Sequence, residues 1–429
     1  MIKQTLAIRS TDMVRQAPAL KPVAMFLQAV LFWIPGALVF FRVTLLSGLD
    51  TIVGNKGDSR LVVVLHEHWL DVLRGRAAWR SPTFFYPVHG VLGYADTFLL
   101  DEIFYLPMRA IGLDPFAAFQ TTLIWLSLVG FVSMFALCRT SFTIAVIPSA
   151  FISTLFAFAN NLYVGGGHPQ LFAVYWLPLL LLFAVRSWRA PTNASATGWG
   201  VACGVLFGLL LFSTFYVGWF ALLACGIVGT FAVLLHIEQF GSRSTIAILR
   251  NRARPIVGLL LGLFTALVPF ALVYLPTLRE FGGRSYKDAM HYAPSPAEVF
   301  NVGGDNVVWG GLLGRMLSAS SIRNVETSLA VTPLVLVSVI VVGAIAFRRR
   351  RTHEPQTLAP LTLAVACSVV VLVILPVRLP FGSPWRIPWT LVPGASAIRA
   401  IDRLQIVTQF LACCVFGLGI SIQTDVDSA

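Results

Sequence analysis

The residues of this chain whose types and spacing suit chemistry are carboxylates, histidines and arginines gathered into a few polar segments. Gly57-Asp58-Ser59-Arg60 opens a helical run from Leu61 to Arg74, Asp96 closes Tyr94-Ala95-Asp96, and Asp101-Glu102 follow. A carboxylate in such a place can take the proton from a hydroxyl, because a neutral alcohol is a weak nucleophile. Each also has a plainer reading. Asp58 sits where its helix begins and can serve as the N-cap. Asp96 can cap the helix running to Leu106, and Asp101 and Glu102 can be solvated charges on the outer face of that helix.

His66, Glu67, His68 and Asp71 invite a metal reading. On a helix, however, His66 and His68 stand roughly 200° apart. His68 with Asp71 supplies two ligands, which make no site, so no metal ligands are assigned. His168 follows Gly165-Gly166-Gly167 and precedes Pro169. The glycines can simply permit a tight turn, or the imidazole can meet a phosphate or hydroxyl. Arg399 and Arg403, four residues apart, share one face if helical. They suit either interfacial snorkelling or a phosphate, with Asp402 free to neutralise one of them. Arg279, Arg284 and Lys287 suit a phosphate or balance Glu280 and Asp288. Gly303-Gly304-Asp305 is too generic to use, and the sequon Asn193-Ala194-Ser195 falls on the inner side. GxxxxGK, HExxH and GxSxG are all missing, so nucleotide hydrolysis and serine or zinc hydrolase chemistry are unsupported.

The elements that must position these groups are set by composition. Of 429 residues, 57% are hydrophobic and 12% charged, about half the charge of a soluble domain. The apolar residues come in long blocks, which excludes a cytosolic enzyme and a disordered or collagen-like chain. Stretches of membrane-spanning length fall at Val23–Leu46, Phe116–Leu137, Phe142–Phe158, Leu171–Val185, Trp199–Thr214, Val217–Leu235, Pro255–Tyr274, Leu329–Phe347, Leu358–Pro376 and Leu404–Ile422. The expected fold is all-α: a polytopic bundle of about ten transmembrane helices, with a tight break near Tyr216 between the fifth and sixth. Six cysteines lie in or beside apolar blocks and read as buried free thiols.

A basic segment carrying Lys3, Arg9, Arg15 and Lys21 precedes the first span, which reads as an uncleaved signal anchor with the N-terminus inside. Alternating from there, inner segments carry 15 Lys/Arg and 5 Asp/Glu, and outer segments 15 and 14. That asymmetry is the positive-inside rule. It accounts for the net charge of +12, the Arg348-Arg349-Arg350-Arg351 run and the Arg243, Arg250, Arg252, Arg254 cluster without nucleic acid as a partner. Residues 1–22 are then a cytoplasmic segment, 23–422 the transmembrane domain and 423–429 a polar tail, with both termini cytoplasmic in a bacterial inner membrane.

Eight of the acids lie between Asp50 and Asp114, in a first outer segment (47–115) too long for a simple connector. Two more outer segments follow, 276–328 and 377–403. Whatever chemistry the protein performs faces outward. Within 47–115, Arg60, Glu67, Asp71 and Arg74 form one narrow charged stripe on an otherwise apolar helix, which suits a helix lying along the membrane surface. Ser81-Pro82-Thr83-Phe84-Phe85-Tyr86-Pro87 reads as an ordered loop at headgroup level.

A basic N-terminus, one span and a long outer segment of two acid-bearing surface helices resembles the GT-C superfamily of glycosyltransferases. More closely, GDSR, HEHWLDVLRG, SPTFFYP, YAD and LPMRAIGLDPFAA are similar to little-characterised bacterial multi-pass membrane proteins related to that superfamily. GGGHPQL, YAPSPAEVF and LVPGASAIRAIDR extend the likeness over most of the chain. The chain departs from the superfamily in ending soon after its tenth span and in lacking a clear paired-acid motif in its first loop. The resemblance implies an extracytoplasmic platform of juxtamembrane helices. It also implies inverting transfer of a sugar from a polyprenyl-phosphate donor, held among membrane lipid, to a glycan, lipid or protein acceptor outside the membrane. Asp58 is the first choice for the base, early in the first outer segment as in the superfamily, and Asp96 the second. Arg60, His168, Arg284, Arg399 and Arg403 are the residues placed on donor and leaving phosphate. The cofactor is open, a divalent metal being one option.

Two rivals stand beside that reading. A lipid or polysaccharide transporter or flippase would commonly bury ionisable residues mid-membrane, whereas the ten stretches contain one, Arg42, near an end. A polysaccharide polymerase or ligase usually puts its largest outer segment late in the chain, and here the largest comes first.

Overall fold

The computed structural model describes residues 22–304, 306–316, 327–350 and 358–427. Lys3, Arg9, Arg15, Lys21, Asp305, Arg351 and the last two residues of the polar tail lie outside them. Among the described residues the chain is all-helical apart from one isolated bridge between Leu379 and Gly382.

Helix α1 (Pro22–Phe40) is followed by the more polar α2 (Lys56–Leu73) and α3 (Glu102–Ala110). Then come α4 (Pro115–Ala136), running on through a π turn to Ser141, and α5 (Val146–Ala157) with the short α6 (Asn160–Val164). A 3-10 run, Pro169–Trp176, leads into α7 (Leu177–Arg189). The chain continues with α8 (Asn193–Ser213), α9 (Phe215–Phe240), α10 (Ala253–Phe281), α11 (Pro333–Arg349), α12 (Ala359–Ile374) and α13 (Leu404–Asp427). Among the described residues, eight helices are long and apolar enough to cross a membrane: α1, Pro115–Ser141, Val146–Gly167, Pro169–Arg189, α8, α9, α10 and Ile401–Gln423. The other two expected spans coincide with α11 and α12, apolar but shorter.

Local sequence explains most boundaries. Asp114 caps α4 by accepting the amides of Phe116 and Ala117 at 2.9 and 3.1 Å, with Pro115 at the first helical position. The break between the fifth and sixth expected spans is a single extended residue, Thr214 (φ −144°, ψ 98°), two residues before the expected point. α10 runs beyond Tyr274 to Phe281, so Arg279 is helical. Helices α8 and α10 pack most closely of all, through a stripe the apolar pattern does not reveal. Gly200, Gly204 and Gly208 face Gly258, Gly262 and Ala266, and a Cβ on Gly204 or Gly262 would strike the carbonyl of Leu259 or Val201. Small residues four apart let two backbones approach in this way.

The long connections meet at one end of the bundle, the loop end. Tyr94 donates to Glu280 at 3.2 Å, Arg378 N–H to the carbonyl of Pro294 at 2.8 Å, and Asn160 to that of Val302 at 2.7 Å. At the opposite end Arg349 donates to the carbonyl of Ile422 and Arg350 to Glu238. Most of the apolar face of helix α2 is taken up by protein, with Leu61, Val64 and Leu73 left exposed. Val62, Val63, Leu65 and Trp69 are buried among protein, in contact with α3, α4 and the Pro169–Trp176 run.

Candidate functional site

The N-terminus of α2 is built to meet the triple-glycine turn. Asn55, not Asp58, is the N-cap: its side-chain oxygen accepts the Asp58 amide at 2.8 Å. The same side chain donates through Nδ2 to the carbonyl of Gly167 at 2.8 Å, and Ser59 Oγ donates to the carbonyl of Val53 at 2.8 Å. Gly54, at φ +91°, lies so close to Gly166 that a Cβ would sit 2.6 Å from its carbonyl oxygen. Relieved of capping, the Asp58 carboxylate turns to His168, whose Nδ1 lies 2.6 Å from Oδ2. The tautomer that donates from Nδ1 fixes one carboxylate oxygen. The Asp58 side chain is 43% exposed and that of His168 19%, so the pair is reachable from solvent and backed by protein.

Other groups gather around this turn. Arg42 donates to the hydroxyl of Tyr163 at 3.1 Å and lies 5.5 Å above its ring. Asn160 accepts from Asn306 Nδ2 at 2.7 Å, which fastens segment 276–328 beside the turn. Arg60 is exposed, and two positions along the helix from Asp58 it projects roughly 200° away. It is not brought to the pair.

Asp96, Arg403, Arg399 and Arg284 form a second group at the break between α8 and α9. Asp96 accepts the Phe215 amide at 2.8 Å, satisfying the first N–H of α9 from a distant segment. It therefore caps α9 and not the helix running to Leu106. Burial pushes its pKa up to about 6, against the pull of the Phe215 N–H and of Arg403. The Arg403 guanidinium lies 5.6 Å over Tyr216, whose hydroxyl accepts the Arg399 amide at 3.0 Å. The Arg399 guanidinium lies 5.3 Å over Tyr292. Arg284 is tied to the same strip through its amide, which donates to the carbonyl of Ser396 at 2.8 Å. The Ser285 hydroxyl and amide, then Arg284 and Arg399, hold Asp288 below the usual carboxylate range. The two groups connect through Asn161 of α6, which donates to the carbonyl of Gln405 at 3.1 Å.

Asp101 and Glu102 overturn the expectation of solvated charges, since both are buried. Glu102 meets His66 Nδ1 at 2.6 Å, and Trp176 Nε1 donates to Asp101 at 3.4 Å. Burial lowers His66 to about 4, raises Asp101 to about 6 and raises Glu102 well above its ordinary value. Burial thus favours the uncharged form of all three groups. Burial alone would raise Glu67 too, but Arg109 at 2.6 Å and the Tyr105 hydroxyl at 2.6 Å outweigh it and hold that carboxyl low. This network locks α2 to α3. His68 points elsewhere, to the carbonyl of Trp79 at 3.0 Å, as the helical spacing required.

Sequence reasoning missed Asn55 as the organiser, although an Asn three residues before a first-turn acid is a legible capping signal. It also missed Arg42 with Tyr163 and His66 with Glu102, for which no local signal exists. Among the described residues no three His, Cys, Asp or Glu side chains are gathered as a metal site would need. Comparison with protein-family models, with curated proteins and with solved structures finds no match for this chain.

Proposed function

We propose that the chain is an inverting, GT-C-like glycosyltransferase of a bacterial cytoplasmic membrane, with ten spans, both termini cytoplasmic and the loop end outside. It would move a sugar from a polyprenyl-phosphate carrier to a glycan, lipid or protein acceptor. The observation carrying this reading is the meeting of Asp58 and His168 at 2.6 Å with the Asp58 side chain 43% exposed. Chemistry at a hydroxyl needs a base held in one orientation and open to the acceptor, and this pair has both properties.

The acceptor hydroxyl gives its proton to the second oxygen of Asp58, and its oxygen bonds to the anomeric carbon. The bond from that carbon to the phosphate oxygen breaks, the electron pair leaves with the carrier phosphate, and configuration at the carbon inverts. His168 holds the carboxylate from behind and fixes its orientation through the Nδ1–H. Arg399 and Arg284, on aromatic and backbone supports at the same end, are the cations offered to the leaving phosphate, with Arg403 behind them.

The test uses purified protein in lipid nanodiscs, supplied with polyprenyl-phosphate-linked sugars and a panel of glycan, lipid and peptide acceptors. Release of polyprenyl phosphate is followed. Asp58→Asn should lose about 10²–10⁴-fold in rate, the usual worth of a general base. Undiminished release at an equal amount of folded protein removes Asp58 from the mechanism.

A further inference from the structure

Away from both groups, the loop-end half of α10 lines a groove of about 550 Å³. Its walls are aliphatic and aromatic, including Phe264, Leu267, Val268 and Leu275, and two arginines, Arg80 and Arg279, complete the lining. Arg279 lies one helical turn beyond Leu275, towards the loop end. Arg80 arrives there from segment 47–115: the Leu92 amide donates to its carbonyl at 3.1 Å, and Gly93 packs flush on Thr277 and the carbonyl of Val273 of α10. The Arg80 Nε is buried and has no hydrogen-bond partner among the described residues. Glu280, the acid next to Arg279, is engaged by Tyr94.

Two cations at the head of an apolar groove on a membrane-facing helix call for an anion with a hydrocarbon tail. The length of the groove says which kind. From Phe264 to Leu275 is eleven residues, about 16 Å at the helical rise. The hydrocarbon depth of one leaflet is about 15 Å, half the thickness of the bilayer core. We infer that this groove binds one anionic phospholipid of the leaflet at the loop end. Its acyl chain lies along α10 and its phosphate sits between Arg80 and Arg279, bridging segment 47–115 to the helix. A carrier chain much longer than one leaflet is a poorer match to this length. The inference requires that α10 spans a membrane and does not depend on the glycosyl-transfer reading.

The experiment is native mass spectrometry of the full chain, delipidated in detergent. It is titrated separately with phosphatidylglycerol, phosphatidylcholine, a polyprenyl monophosphate and free glycerol phosphate. Phosphatidylglycerol should be retained at least tenfold more strongly than phosphatidylcholine, with glycerol phosphate not retained. Arg80→Gln with Arg279→Gln should abolish that preference. Ala271→Trp, which fills the groove and leaves both arginines, should reduce phosphatidylglycerol retention to the same level. Thermal unfolding without lipid checks that each variant is folded. Equal retention of the two phospholipids, or wild-type retention by both folded variants, overturns the assignment. Stronger retention of polyprenyl phosphate than of phosphatidylglycerol overturns the choice of occupant.

Discussion

The carboxylate of Asp58 and the imidazole of His168 meet at 2.6 Å because Asn55 holds both of their elements. One end of its amide group caps α2 and the other grips the carbonyl of Gly167. Asn55→Asp should separate these two jobs. An aspartate still accepts the Asp58 amide, so the cap and the stability survive, but it cannot donate to Gly167. Transfer activity should fall by at least tenfold while the unfolding temperature moves little. Unchanged activity would show the residue to be a cap alone.

If the pair acts as a unit, removing either member should cost nearly as much as removing both. Asp58→Asn and His168→Ala, measured singly and together for release of polyprenyl phosphate, should be far from additive. Additive losses would mean that the two side chains work independently.

Asp96 gives a pH signature. Its folded pKa, about 6, lies above the ordinary 3.8, so the folded state binds the extra proton more tightly. Its contribution to stability is complete below about pH 4 and is lost as pH rises through about 6. Asp96→Asn keeps an oxygen for the Phe215 amide and abolishes the titration. The stability of the wild type relative to this variant should fall between pH 4 and 6, read from unfolding temperatures across that range. A constant difference would contradict the shift.

Burial raises Glu102 and favours its protonated form, with His66 as its partner. Glu102→Gln preserves its shape and should be tolerated. Glu102→Ala strands His66 Nδ1 in a buried site and should cost about 1–3 kcal/mol, measured by denaturant unfolding in detergent. Equal effects of the two substitutions would argue against a neutral Glu102.

Gly262 lies against the carbonyl of Val201 with no room for a side chain. Gly262→Val should separate α8 from α10 and cost about 1–3 kcal/mol, typical of overpacking. Gly226→Val, where the added atom meets open space, is the control. Comparable losses at the two positions would show that the close approach is unimportant.

The sequence determined the helical class, the long apolar helices and the gathering of acids into 47–115. These follow from composition, block length and periodicity, which are local properties. It also placed the α8–α9 break within two residues and offered Asp58 and His168 as candidates. It could not pair them. Residues 110 apart share no spacing rule, and their meeting depends on how α2 docks on the turn after α6. The same holds for Asp96, whose hydrogen-bond partner is the first amide of a helix 119 residues later, and for Asp101 and Glu102. As charged residues in a loop-rich segment, these last two read as solvated, and only packing against His66 and Trp176 puts them inside. Local pattern fixes what each segment is. The tertiary structure alone decides which polar groups share a site, because burial and distance arise only once the segments are packed.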